Sequence, residues 1–373
     1  MTPHESVKLT IQESTSYEVP AYRVRLFLSV DLTGSTAFKH SKSSPLEWLK
    51  AFQQFYGTFP RKLSELYQQI GKDAGLSNEE LKSGSPKLWK TVGDEILFCC
   101  KIESVHHVSV CIEAFIQTLQ QFGEVIQQFN LNTKGNAWVA SFPTPNSSIM
   151  PISAEDSATD SLSGNNDLVS EEMEKQADLH PNKFDFLGKG IDSGFRISKN
   201  SSIDTLTISP GLGILLLDAC QNKKLTKFER KIRLAEMQCF KGVADGNLYP
   251  VLVIDVFRNK AYEELVNAQN NLLGVRYKQD HEELQNFLRD FLNFYNIELP
   301  EVKLYAADTT TILPKFYEEY KDKWEAGRKE LIAQSTLEEK SINDIDENES
   351  KENLQLDQSE KFVAELSENL KDQ

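Results

Sequence analysis

The chain has 373 residues, 39% of them hydrophobic, and a formal net charge of −15, enough apolar content for one large core or two small ones. That acidic balance excludes a protein that coats nucleic acid through a basic stripe, but not a nucleotide substrate, whose charge a metal ion and a few local cations neutralise. No basic segment with an apolar follow-on opens the chain, its longest apolar run (214–217) is short, and its five cysteines form no CxxC pair or zinc spacing, so a reduced cytoplasmic protein without signal peptide or membrane span is expected.

Residues 23–30 (RVRLFLSV) read as a strand that ends in Asp31-Leu32-Thr33-Gly34-Ser35-Thr36, a turn into a helix start. Leu46, Leu49, Phe52, Tyr56 and Phe59 then recur at helical steps. Pro60 is expected to interrupt that helix before Leu63, Leu66 and Ile70 extend a second stretch. Residues 88–100 read as two strands around Val92-Gly93-Asp94, and 104–129 as a long amphipathic helix. The vicinal His106-His107 pair at its start is expected to face solvent or cap the helix.

A strand over 137–142 precedes a polar stretch, 143–182, read as a mobile insertion. Phe184-Asp185-Phe186-Leu187, a helix from Asp192, and a strand-helix-strand-strand series over 205–256 follow. The expected organisation is an N-terminal segment (1–22), a catalytic domain (23–257), a helical extension (258–333) and an acidic, disordered tail (334–373). The pattern lacks Rossmann and P-loop fingerprints, which leaves an α+β sandwich.

Two acidic residues stand where chemistry is plausible. Asp31 ends a buried strand, and Asp94 sits in a hairpin turn of an otherwise apolar pair. Alone, either is most often a turn residue. Together they suit Mg²⁺ or Mn²⁺, hard cations that take carboxylates and substrate phosphates. Gly34, Ser35 and Thr36, at a helix start, offer backbone N–H groups to phosphate.

The run from Phe27 to Thr36 resembles the first metal-binding segment of class III nucleotide cyclases, and Lys90-Thr91-Val92-Gly93-Asp94 resembles their second. Phe184-Asp185-Phe186-Leu187-Gly188, then Asp192 and Arg196, then Phe240-Lys241-Gly242, resemble the later segments in the same order. The resemblance implies a ferredoxin-like (palm) sandwich with a helical C-terminal extension, acting as a catalytic homodimer on a nucleoside triphosphate. It implies two divalent ions, Mn²⁺ or Mg²⁺, held by Asp31, Asp94 and the Leu32 backbone carbonyl. It makes Lys90 and Asp185 readers of the base, Arg196 the transition-state arginine and Lys241 a triphosphate ligand. Asp192 stands where the family has asparagine; an ionised aspartate only accepts hydrogen bonds. Asp192 and Arg196 are four apart, so one helix face near its N-terminus is expected to carry both, as catalytic groups or as a plain intrahelical ion pair.

Within that family the segments around Ser29–Thr36, 136–140 and 185–197 are most similar to the pyrimidine cyclases of Pycsar anti-phage systems. That similarity implies conversion of UTP, or CTP, to the cyclic monophosphate and pyrophosphate, with a separate effector protein sensing the product. Tyr56 is the candidate wall that excludes a purine, against its reading as a core aromatic. Lys90 with Asp185, taken literally, points instead to adenylate cyclase, and a non-catalytic dimerisation and signalling module is the rival from another class. Gly93-Asp94-Glu95-Ile96 also resembles the diguanylate cyclase signature, with Val92 in place of its first glycine.

Overall fold

The computed structural model describes residues 18–41, 45–151, 169–222, 228–272, 280–308, 313–330 and 333. Most of the expected N-terminal segment, the middle of the insertion and the whole acidic tail lie outside the described residues. The chain divides into two compact units, Met1–Glu318 and Glu319–Gln373. In the second, residues 319–330 are helical; the candidate site residues all belong to the first.

In chain order the first unit runs β1 (Arg23–Thr33), α1 (Ser35–Ser41), α2 (Pro45–Ala74), α3 (Asn78–Ser83), β2 (Lys87–Val92), β3 (Glu95–Ile102) and α4 (Val105–Ile126). It continues through β4 (Asn132–Phe142), β5 (Ser147–Ile149), α5 (Glu171–Leu179), β6 (Asp185–Leu187), α6 (Lys189–Ile197) and β7 (Thr205–Ile208). Then come α7 (Pro210–Gln221), β8 (Ile232–Cys239), β9 (Leu248–Asp255), α8 (Lys260–Leu272) and α9 (His281–Phe294). One seven-stranded sheet has the order β2-β3-β1-β4-β7-β9-β8, and β5-β6 form a separate pair. Among the described strands only β4 and β7 pair in parallel. The expected α+β sandwich is met, with helices on both faces of a mostly antiparallel sheet. No described helix is long and apolar enough to cross a membrane.

Alternation along β1 builds both faces. Val24, Leu26, Leu28, Val30 and Leu32 enter the main core with side chains of α2, α4, α7 and α9. Phe27 instead joins Trp89, Leu97, Trp138, Phe142, Phe184 and Phe186 in a second cluster on the opposite face. By the same two-residue period Arg25, Ser29 and Asp31 share that second face, the one that β5, β6, α5 and α6 cover.

Three expectations need correcting here. Pro60 does not interrupt its helix: α2 is continuous for 30 residues. An interior proline costs about 3 kcal/mol, but Phe52, Phe55, Phe59, Leu63 and Tyr67 are buried on both sides of it, each contributing about 1.5–3 kcal/mol. Leu46, at 71% exposure, lies outside that buried stripe.

His106 and His107 do not face solvent; Ser104 is the cap, and both histidines are buried. The Glu103 N–H donates to His107 Nδ1, so Nε2 carries the proton, 3.0 Å from the Gly84 carbonyl and 3.1 Å from the Tyr67 hydroxyl.

At its ends the insertion carries regular structure, which the sequence reading did not expect. Residues 147–149 pair with β6, and α5 is anchored by ion pairs from Glu171, Glu174 and Asp178 to Arg23 and Arg25 of β1.

Candidate functional site

The acidic half of the site is built at one end of β1. Asp31 pairs in register with Glu95 of β3 on one side and Lys134 of β4 on the other. The Lys134 ammonium lies 3.2 Å from Asp31 Oδ2. Burial pushes the Asp31 carboxyl above its usual value; Lys134 pulls it down, and the nearby Asp94 charge pushes it up. Asp94 fills the turn between β2 and β3, made possible by Gly93 at φ +63°. The Leu32 N–H donates to the Asp94 carbonyl at 3.2 Å, which ties the turn to β1. Ser35 Oγ donates to the Asp94 carboxylate, and Tyr56 OH donates to the Gly93 carbonyl.

These donors fit a hard divalent ion. Asp31 at the end of β1 and Asp94 in the turn tied to it by the Leu32 N–H are hard oxygen donors, and the Ser35 and Tyr56 hydroxyls beside the turn are oxygens as well. Among the described residues no cluster of three or more His, Cys, Asp or Glu side chains is gathered, so the remaining positions would fall to backbone carbonyl, water and substrate oxygens.

A second pair lies on the sheet face covered by β5 and β6. Lys90 Nζ sits 2.8 Å from Asp185 Oδ1, with the two side chains 36% and 42% exposed. The Phe186 N–H also donates to Asp185 Oδ1 at 3.0 Å. Beyond β6, Gly188 adopts φ +137° where a Cβ would meet Asn146 Oδ1 at 2.4 Å. Asn146 takes the Gly190 N–H at 2.9 Å and gives its own amide N–H to the Ser141 carbonyl at 3.0 Å. Those bonds set where α6 begins.

That start is Lys189, three residues ahead of the expected Asp192. Asp192 therefore lies in the first turn and Arg196 in the last, which corrects the expectation that Arg196 sits near the helix's positive end. Both side chains are exposed. Among the described residues no ion pair joins them, so the plain intrahelical pair is absent. Against the sheet, Gly194 lets α6 approach the Trp138 ring, which an added Cβ would meet at 2.3 Å.

The chain thus couples Asp31 with Asp94, and Lys90 with Asp185. Tyr56 stands with the acidic set, and Lys241 is exposed in the turn between β8 and β9. Gly34, at φ +88°, precedes the short α1, where Ser35 spends its hydroxyl on Asp94. Sequence reasoning missed Lys134 and Trp89. Lys134 keeps step with Asn136 and Trp138 in a two-residue pattern, but only the strand pairing reveals its neighbour.

No family model matches the chain, and no curated protein matches it. Among solved structures it is similar to the adenylyl cyclase CyaB from P. aeruginosa, at 11% identity and TM-score 0.40, over 63% of this chain and 94% of that one. It is similar also to the guanylyl cyclase Cya2, at 12% identity and TM-score 0.37, over 64% and 93%. A third is the guanylate cyclase domain of RhGC from Catenaria anguillulae in complex with GTP, at 11% identity and TM-score 0.37, over 63% and 97%. Likeness of this size bears on neither activity nor substrate.

Proposed function

We propose that this chain is a nucleotide cyclase of the class III type, acting as a homodimer on a pyrimidine nucleoside triphosphate, UTP ahead of CTP. The observation that carries the cyclase reading is the Lys90–Asp185 pair; the pyrimidine class rests on the resemblance of the sequence segments. Two residues 95 apart in the chain meet at 2.8 Å, yet stay open to solvent as a donor beside an acceptor, the arrangement that reads a base edge. The coupled Asp31 and Asp94 carboxylates supply the other requirement, a place for divalent cations.

In the reaction the ribose 3′-oxygen attacks the α-phosphorus, the bond to the β-phosphate breaks, and pyrophosphate leaves. Asp31, Asp94 and the Leu32 carbonyl would hold two Mn²⁺ or Mg²⁺ ions, which when bound acidify the 3′-hydroxyl and neutralise the triphosphate. Arg196 meets the charge that builds on the α-phosphate, and Lys241 binds the departing pyrophosphate. Backbone N–H groups of Gly34, Ser35 and Thr36 receive phosphate oxygens, and Asp192 accepts from a ribose hydroxyl. Lys90 donates to a base oxygen and Asp185 accepts from a base N–H. Tyr56, braced on the Gly93 carbonyl, is the wall that limits base size.

Residues 23–257 form the catalytic domain and 258–333 the extension in this reading. The acidic set of one subunit works with the base-reading and arginine set of its mate, and exposed Leu88, Val92, Leu179 and Leu187 offer apolar surface for that contact. The cyclic product signals to a separate effector protein in defence against phage. The literal alternative, adenylate cyclase, rests on the same lysine–aspartate pair.

Purified full-length chain with Mn²⁺ and each of the four nucleoside triphosphates, its products identified by mass, tests the proposal. Cyclic UMP as the main product is expected. Efficient cyclic AMP synthesis would overturn the pyrimidine assignment, and no cyclic product from any nucleotide would favour the non-catalytic signalling module.

A further inference from the structure

Successive residues of a strand face opposite sides of a sheet, yet Trp89 and Lys90 serve the same side. The pairing of β2 with β3 explains this. Leu88 lies opposite Phe98 and Lys90 opposite Leu97, so Trp89 is an extra residue with no partner of its own. Such a bulge re-aims the side chains that follow it. Without it Lys90 would fall opposite Ile96, whose side chain points into the main core. With it, Lys90 shares the face of Leu97 and reaches Asp185.

The bulged side chain touches Lys90 and the backbone that leads into Asp185. Its ring lies beneath the Lys90 ammonium, 4.1 Å from the ring centre. Its indole Nε1–H donates to the Phe184 carbonyl at 3.0 Å, and Phe184 is the residue immediately before Asp185. Trp89 is itself fixed, at 2% exposure, between Phe27 at 5.3 Å and Phe186 at 5.1 Å. One rigid side chain therefore sets the position of a donor and of the backbone that presents an acceptor.

We propose that Trp89 is a positioning residue for base selection: its bulge, ring and indole N–H hold Lys90 and Asp185 at the spacing that matches one nucleobase edge. This rests on the nucleotide-cyclase reading of that pair. Uracil and cytosine each present an acceptor next to a second polar group, so a reader must keep its donor and acceptor side by side. Looseness between them weakens the preferred base most and narrows its advantage over the others. Trp89 touches no reacting atom; its ring also packs 6.1 Å from Phe195, the residue before Arg196.

Two variants of the full chain separate its contacts. Trp89→Phe keeps a ring beneath Lys90 but lacks the N–H, and its KM for the preferred nucleotide should rise about five-fold. Trp89→Leu removes both contacts, and its KM should rise about twenty-fold. In Trp89→Phe, which keeps a ring beside Phe195, kcat should stay within about two-fold, and in both variants the ratio of kcat/KM between preferred and other bases falls. Dissociation constants for α,β-methylene nucleoside triphosphates with Mn²⁺ should move in parallel with KM, which gives a readout independent of turnover.

An equal loss of kcat across all four nucleotides, with unchanged preference, would mark Trp89 as a core aromatic and overturn the proposal. If Trp89→Leu does not fold, Trp89→Phe decides alone: wild-type KM and preference there also overturn it. A wild-type chain that binds no triphosphate would instead remove the cyclase reading, and this proposal with it.

Discussion

Lys134 holds its ammonium 3.2 Å from the Asp31 carboxylate, in a row across three strands that also contains Glu95. The lysine thus occupies the charge that a divalent ion would otherwise meet on Asp31, and the two cations compete for one carboxylate. Lys134→Met should therefore tighten Mn²⁺ binding in the absence of nucleotide, by about five-fold for a partly exposed pair. Titration followed by electron paramagnetic resonance checks this. Lys101→Met, which breaks the pair with Glu103 at the other end of β3, controls for net charge. Unchanged affinity, or an equal effect in the control, would show that Lys134 does not guard Asp31.

The charges that anchor α5 make a stability prediction. Arg25 is fully buried, paired at 2.6 Å with both Glu174 and Asp178, and packed 4.5 Å from the Phe142 ring centre. Glu174 is buried as completely. Removing the arginine alone strands that carboxylate, so Arg25→Met should cost about 3–5 kcal/mol. Adding Glu174→Leu should recover a large part of the loss, because the stranded charge is then gone. Urea unfolding of the single and double variants measures both. A double variant no more stable than the single one would contradict the account.

Much of the fold was open to sequence reading because it follows from period. β1, the β2–β3 hairpin, α4 and the strands from β7 onward are long or strongly patterned, and they fall near their expected places. Pro60 misled because a local penalty was weighed without the aromatic stripe that outweighs it. Residues 171–179 misled because α5 is polar: its carboxylates find partners in Arg23 and Arg25, and an arginine inside an apolar strand was the available signal. The site divided the same way. Asp31, Lys90, Asp94, Asp185 and Arg196 stand in recognisable strings. Lys134 depends on strand register and Trp89 on one extra residue, neither of which a two-residue pattern records.

His106 supplies a pH dependence. Its ring is buried, Nε2 has no hydrogen-bond partner among the described residues, and the ring lies 6.2 Å from Tyr305. Burial lowers its pKa, Glu80 opposes that shift, and His107 adds to it. The folded state therefore favours the neutral ring. Its stabilising contribution is complete above the unfolded value of about 6.5 and is lost as pH falls from there through the lowered folded value. Melting temperatures between pH 7.5 and 5 should fall more steeply for the wild type than for His106→Phe. Parallel slopes would place the acid sensitivity elsewhere.

The sharpest prediction concerns how one active site is assembled. Asp94 is bonded to Ser35 and tied to Leu32 at the end of β1, whereas Arg196 is exposed at the end of α6 with no ion pair among the described residues. If the acidic set of one subunit faces the arginine of its mate, Asp94→Ala and Arg196→Ala should each abolish turnover in a folded protein. A dimer containing one chain of each kind has both defects in one site and neither in the other. With free exchange of subunits at equal amounts, half the dimers are of this kind, so about a quarter of wild-type activity should return. Differently tagged chains, purified in tandem after mixing, isolate those dimers for assay. If they form and remain inactive, the two sets of residues do not share a site across the interface.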